Sequence, residues 1–266
     1  MAVVQNIPGM IPWDSIRAAM TVLRPHVVVF PEYAWYGARD RLHTTPQRYH
    51  RVLRQIRART EMWPCPVIAG SLIRARSDGR LRAETLLLYR GTVLARYVKM
   101  NPTPPERSAG VTTGPGWVVW EIPPHHRWIP LICADVFCQD VIVRAVQSAR
   151  PTAVFVPTAS PHRGPEPEGV KHLRDERWFR SLAARLRAPV YKACITGVLF
   201  GREFHGRSLV ARPDGILWRP TAREEWSPLV IGVSETVSTV WVFPLTDGGH
   251  GDDGGLPGTG RAHRAC

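Results

Sequence analysis

Three residues of unlike chemistry each follow a separate apolar run. Glu32 follows Val27-Val28-Val29-Phe30-Pro31, Lys99 follows Leu94-Ala95-Arg96-Tyr97-Val98, and Cys133 follows Trp128-Ile129-Pro130-Leu131-Ile132. A thiol, a carboxylate and an ammonium suffice for amide chemistry. The thiol serves as nucleophile, the carboxylate as proton acceptor, and the ammonium as the partner of a developing oxyanion. Read singly, each residue has a plain structural explanation. Glu32 could be a strand-end carboxylate, Lys99 could close a hairpin strand with its head in water, and Cys133 could be an inert buried thiol. Burial after Val-Val-Val-Phe-Pro predicts a raised pKa for Glu32. Lys99 is one of only three lysines, with Lys171 and Lys192, among 35 Lys and Arg residues. A compact ammonium suits one oxyanion, whereas the broad arginine fork does not. A thiol at a strand-to-helix junction near Lys99 is expected to have its pKa lowered toward the thiolate.

The elements that position these residues follow from periodicity. Trp13–Leu23 carries Ile16, Met20 and Leu23 at helical spacing and stops before Pro25. Thr45 and Pro46 are placed as N-cap and N1 of a second helix with the stripe Tyr49, Val52, Leu53, Ile56 and an outer face of arginines. Val141–Ala149 and Trp178–Leu186 give two more apolar stripes, closed by Pro151 and Pro189. Strands are expected over Val27–Phe30, Pro66–Leu72, Trp128–Ile132, Ala153–Val156, Val190–Thr196, Ser208–Ala211 and Leu229–Val233. Glu84–Arg90 and Thr92–Val98, joined at Gly91, read as an antiparallel hairpin. Hairpins within an alternating strand–helix rhythm favour an α/β fold with a mixed sheet.

On these residues the chain resembles the nitrilase superfamily of carbon–nitrogen hydrolases, whose members use a Glu-Lys-Cys triad. The segments that carry the resemblance are Val27-Val-Val-Phe-Pro-Glu32-Tyr with Tyr36-Gly37, Tyr97-Val-Lys99 with Glu106 seven residues on, and Leu131-Ile-Cys133-Ala-Asp135. Later landmarks in the same order are Phe155-Val-Pro-Thr-Ala-Ser160, Ala193 to Gly197, and Gly206-Arg-Ser208 leading to Pro213-Asp-Gly215. Ala134 stands in place of the usual aromatic residue, and Cys194 in place of the usual Asn. The resemblance implies a four-layer αββα sandwich of two mixed sheets, commonly dimerised through its helix layers. It implies catalysis by Glu32, Lys99 and Cys133. Around them it implies a substrate-positioning set of Glu106, Tyr36, Ser160 and His162, the backbone of Ala134, and Asp135, which caps or orients the turn after the cysteine. No cofactor and no metal are implied. Cys133-Ala-Asp135 leans toward amide or N-carbamoyl substrates rather than nitriles. Two other readings stay open: a Cys-His hydrolase that pairs Cys133 with His125, His126 or His162, and a non-catalytic scaffold.

Composition sets the outer bounds. In 266 residues, 44% hydrophobic and 21% charged, the chain has enough apolar content to fold without disulfides. The five cysteines are odd in number and widely spaced, so no disulfide framework is expected, and Cys133 with Cys138 fits no zinc spacing. No apolar run reaches the ~20 residues that span a bilayer, and no signal peptide is read at the start. A cytoplasmic protein is expected. The net charge of +13 comes from arginines spread along the chain. It reads as solvated surface rather than a nucleic-acid face, since no helix-turn-helix, zinc-finger or RNA-binding signature accompanies it. The domain is expected over residues 1–245. Residues 246–266, rich in Gly, Asp and His, are expected to be a disordered tail, and its acidic residues and His250 are not read as a metal site. The expected partners are a small amide-like molecule and a second copy of the chain, with neither membrane nor nucleic acid.

Overall fold

Alternation along short strands decides the architecture. In β1 (Ala2–Gln5), Ala2 and Val4 join one core cluster and Val3 another. In β2 (Val28–Val29) the two valines divide in the same way. Successive side chains of a strand point to opposite faces, so a strand that is apolar on both faces must be covered on both. The computed structural model describes residues 1–161, 170–234, 236, 238–245 and 261–264.

The first sheet runs β17-β16-β15-β1-β2-β3-β5-β4, with β6 paired to β5. Its further strands are β3 (Val67–Ile68), β4 (Leu72–Ala75), β5 (Leu81–Tyr89), β6 (Thr92–Val98), β15 (Leu229–Ser234), β16 (Thr239–Pro244) and β17 (Arg261–Arg264). The second runs β14-β13-β10-β9-β8-β7. These are β7 (Trp120–Ile122), β8 (His126–Pro130), β9 (Ala153–Thr158), β10 (Val190–Cys194), β13 (Leu209–Arg212) and β14 (Gly215–Trp218). Each sheet has three central parallel strands, β1-β2-β3 and β8-β9-β10, flanked by antiparallel ones. A small ribbon, β11 (Gly197–Leu199) with β12 (Arg202–Phe204), stands apart.

Three apolar cores give four layers. Val3, Val29, Ile68, Leu87 and Tyr97 of the first sheet meet Trp128, Phe155, Tyr191 and Val210 of the second. On the outer side of the first sheet, α1 (Trp13–Leu23) and α2 (Tyr49–Thr60) bury Ile16, Met20, Val52 and Ile56. On the outer side of the second, α4 (Gln139–Val146) and α5 (Val170–Leu186) bury Ile142, Val146, Phe179 and Leu182 against Val154 and Val156. Each such aliphatic side chain contributes ~1.5–3 kcal/mol when fully buried. This is the expected αββα sandwich of two mixed sheets.

Several local expectations need correction. Thr45 does not cap a helix, because Leu42–Arg48 is a 3₁₀ turn in which the Thr45 hydroxyl donates to the Leu42 carbonyl (2.7 Å), and α2 starts at Tyr49. The strand read over Pro66–Leu72 is broken at Gly70, which has φ +69°. β1 and β16 were absent from the sequence reading. Within the tail read as disordered, Arg261–Arg264 pairs antiparallel with β16, from Thr239↔Arg264 to Val242↔Arg261. Residues 246–260 and 265–266, with their acidic residues and His250, lie outside the described residues.

Candidate active site

Glu32, Lys99 and Cys133 come from three strand ends and meet. Glu32 lies beyond the carboxyl end of β2, Lys99 beyond that of β6, and Cys133 three residues past Pro130, the end of β8. The Lys99 ammonium donates to Glu32 Oε1 and to Glu106 Oε1, at 2.8 Å each. The second Glu32 oxygen accepts the backbone N–H of Ala159 at 2.9 Å, just beyond β9. The Cys133 thiol faces the same carboxylate and lies 3.6 Å from the Ala159 carbonyl. Glu32 and Lys99 are 1% and 0% exposed, so their charges interact with little screening by water.

Local structure explains the placement. Gly70 bends the chain between β3 and β4 so tightly that a Cβ there would sit 2.0 Å from the carbonyl oxygen of Pro31. The backbone just before Glu32 therefore depends on the absence of a side chain at position 70. Tyr33 follows with φ +58°, and Cys133 has φ +47°. Both lie in the left-handed region that non-glycine residues seldom occupy. At Cys133 this sharp turn opens a 3₁₀ segment, Cys133–Cys138. Glu106 is fixed by α3 (Pro104–Ser108), where Thr103 is the N-cap and Glu106 completes the capping box. Its Oε2 takes the Thr103 N–H (2.6 Å) and hydroxyl (2.8 Å), leaving Oε1 for Lys99 and for the Tyr33 hydroxyl.

Asp135 braces the turn rather than facing the cavity. Its carboxylate accepts Ile132 N–H (2.9 Å), Asn101 N–H (2.7 Å), Met100 N–H (3.1 Å) and the Tyr97 hydroxyl (2.7 Å). It thereby ties the cysteine turn to the segment that follows Lys99. Tyr36, expected near substrate, is wholly buried away from the cavity and accepts the Ile73 N–H at 3.0 Å. Glu106, Ala134 and Ser160 line the cavity. His162 lies outside the described residues. Among the described cavity-lining residues there is neither His125 nor His126.

Three buried charges share this space, and their balance sets their protonation. Burial opposes the Lys99 ammonium, but Glu32 and Glu106 outweigh it and hold Lys99 well above the usual lysine range. Burial opposes ionisation of Glu106 too, yet Lys99 beside it keeps its carboxyl below the usual range. Burial dominates at Glu32 and pushes it up to about 7, against the pull of Lys99. The Cys133 thiol is pushed well above its ordinary value by burial and then by the Glu32 charge, with Lys99 opposing. This corrects the expected low-pKa thiolate: the resting site holds a thiol beside a carboxylate poised near neutrality. Such a pair can pass the thiol proton to Glu32 when a carbonyl arrives, with Lys99 at hand for the negative charge.

The cavity has a volume of about 980 Å³, at the upper end of the usual range for small-molecule sites. Sequence reasoning missed much of its wall. Tyr33 sits one residue after Glu32, and only its neighbour drew notice. Phe137, Trp178, Phe200 and Phe204 supply apolar surface, and Lys171, Arg174, Asp175, Lys192 and Arg202 supply charge. The rarity of lysine was the one signal that could have found two of them. Among the described residues, no group of three or more His, Cys, Asp or Glu is placed to hold a metal ion, and no helix is long and apolar enough to cross a membrane.

A family model described as carbon-nitrogen hydrolase matches residues 14–236. Among solved structures, the chain is similar to a mutant of the amidase from Nesterenkonia sp. AN1 that shows covalent addition of the acetamide moiety of fluoroacetamide at the active-site cysteine. Identity is 18% over 92% of this chain and 89% of that one, with TM-score 0.69. A cysteine mutant of the same amidase in complex with butyramide matches at 19% identity, covering 86% and 87%, with TM-score 0.68. Glutamine-dependent NAD+ synthetase from Acinetobacter baumannii matches at 18% identity over 95% of this chain and 48% of that one, with TM-score 0.70. No curated protein sequence matches the chain.

Proposed function

The chain belongs to the carbon–nitrogen hydrolase family, and from that premise we propose that it hydrolyses a small linear amide through a thioester on Cys133. The observation that carries this reading is the convergence of Glu32, Lys99 and Cys133 on one cavity. Glu32 accepts the thiol proton as sulfur attacks the amide carbonyl carbon. The C–S bond forms, and the carbonyl π pair moves to oxygen. Lys99 stabilises that oxyanion together with the Ala134 N–H, one of the first amides of its turn and so without a partner inside it. The oxyanion collapses, the C–N bond breaks, and Glu32 returns the proton to the leaving nitrogen. Ammonia or an amine departs. Water then loses a proton to Glu32 and attacks the thioester, releasing the acid and restoring the thiol. Glu106 holds Lys99, Tyr33 holds Glu106, and Asp135 holds the turn that carries the sulfur.

The reading covers amides and N-carbamoyl compounds, with the protein acting as a homo-oligomer on a diffusible small molecule. The carboxylate and the ammonium beside the Cys133 thiol support this reading over a scaffold with an idle cysteine, which needs neither. A turnover reaction quenched in acid and mapped by mass spectrometry provides the test. The acyl group of a turned-over amide should appear on the peptide that contains Cys133 and should be removed by hydroxylamine. Ammonia released with no acyl group on Cys133 would contradict the mechanism.

A further inference from the structure

All three lysines of the chain line the same cavity: Lys99, Lys171 and Lys192. Lys99 serves the reaction as described. The other two stand in a second buried charge cluster on the α5 and β10 side of the same space. Lys192, 1% exposed, pairs with Asp175 Oδ2 at 2.7 Å and lies 5.1 Å from the centre of the Phe179 ring. Arg207, beside them, pairs with Glu225 Oε2 at 3.2 Å, and Glu225 also meets His172. Lys171 is 6% exposed, and its ammonium donates to the carbonyl oxygen of Pro161. Among the described residues, no carboxylate lies within ion-pair distance of Lys171.

The arrangement is costly unless something answers it. A buried ammonium with a single carbonyl partner has lost most of its hydration and gained one hydrogen bond of a possible three. Burial, and then repulsion from Arg207, pull Lys171 down to about 8, the reverse of the shift at Lys99. Among the described residues, with Asp175 paired to Lys192 and Glu225 to Arg207, no carboxylate is left for Lys171. A carboxylate on a ligand carries one negative charge.

The reach also fits. Ala159 presents its carbonyl to the Cys133 thiol, and Pro161, two residues on, presents its carbonyl to Lys171. Two residues of extended chain span at most ~7 Å, so the carbonyls that meet the thiol and the ammonium lie on one short stretch of the cavity wall. Resting on the hydrolase reading given above, we propose that Lys171 forms an anion subsite in the substrate cavity, and that the substrates are linear amides carrying a carboxylate a few carbons from the scissile bond.

Matched pairs of small amides test this: glutaramate against valeramide, and succinamate against butyramide. Each pair differs in whether the chain ends in a carboxylate or a methyl group. Wild type should show a higher kcat/KM for the charged member. In Lys171→Met and Lys171→Gln that preference should fall about 10- to 100-fold, the worth of one charged hydrogen bond. Lys171→Arg should retain much of it, which a purely structural lysine would not predict. Equal kcat/KM for charged and neutral members in wild type would overturn the subsite while leaving the hydrolase reading intact. A preference that persists in both neutral variants would do the same. Binding is read independently of turnover by the rate at which iodoacetamide labels Cys133. Glutarate should protect the thiol in wild type and lose that protection in Lys171→Gln. If wild type hydrolyses none of the four amides, the hydrolase reading fails for this class, and protection by glutarate alone decides the subsite.

Discussion

Glu32 and Glu106 share one ammonium yet titrate in opposite directions. Glu106 has Lys99, Thr103 and Tyr33 around its two oxygens and stays ionised. Glu32 is the second anion on the same lysine, with the Ala159 N–H and the Cys133 thiol for its other neighbours, so burial wins and its pKa rises to about 7. A base with that pKa is half ionised near neutrality, which suits proton transfer in both directions. The sign of the pH dependence follows. Only ionised Glu32 accepts the thiol proton, so kcat/KM should climb as pH rises through about 7 and level off above it. A profile that falls across that range would contradict the role. Glu32→Gln keeps the shape and loses the base for both half-reactions, so the rate should drop by at least ~10²–10⁴-fold. Lys99→Met removes an oxyanion donor, worth about 10²–10³-fold by itself, along with the charge that restrains the thiol pKa. A pH series of iodoacetamide labelling should therefore show the Cys133 profile moved to higher pH in Lys99→Met. An unchanged profile with retained activity would place Lys99 outside the site.

At the scale of elements, the triad depends on backbone that only particular residues allow. Gly70→Ala would place a methyl group 2.0 Å from the Pro31 oxygen at φ +69°. The chain must shift where it leads into Glu32, so activity should fall by more than tenfold and Tm should drop. Wild-type kinetics in a folded Gly70→Ala protein would show that this contact does not position Glu32. Such constraints mark how far the sequence was legible. Helix α1 stands as read and so does the hairpin, although β5 starts at Leu81 and not at Glu84, because an unbroken apolar stripe and a two-residue Arg90-Gly91 turn with both φ positive leave few alternatives. Glu32 and Cys133 were legible because each ends a run buried on both faces, whereas Lys99 ends β6, whose Leu94 and Arg96 are exposed, and stood out by the rarity of lysine. Thr45-Pro46 misled because a good cap and N1 pair also suits a 3₁₀ turn. Tyr36 misled because proximity in sequence to Glu32 says nothing of which way the next turn faces. The lowered thiol pKa misled because burial and the Glu32 charge together outweigh the lysine. The charged far wall was illegible because Lys171 and Lys192 reach the cavity only through the packing of α5 on β10.

For the whole molecule, two sheets back to back carry one site at their shared carboxyl edge, and the tail returns to the first sheet as β17. Removing residues after Leu245 strips this strand from the edge of β16. With about 0.5–1.5 kcal/mol for each net hydrogen bond lost and about 2–4 °C per kcal/mol for a chain of this size, Tm should fall by several degrees. Iodoacetamide should still label Cys133 at the wild-type rate, since β17 lies at the far edge from β2. An unchanged Tm would show that this pairing adds no stability in solution, and a lost site would show that the edge supports the centre. The central claim is that one thiol, Cys133, carries the acyl group. Ammonia release from a panel of acetamide, butyramide, succinamate, glutaramate and an N-carbamoyl amino acid, measured for wild type, Cys133→Ala and Cys138→Ala, tests it most directly. The expected result is release from at least one compound by wild type, retained by Cys138→Ala and abolished in a folded Cys133→Ala; release by Cys133→Ala at the wild-type rate, or by no protein from any compound, would contradict it.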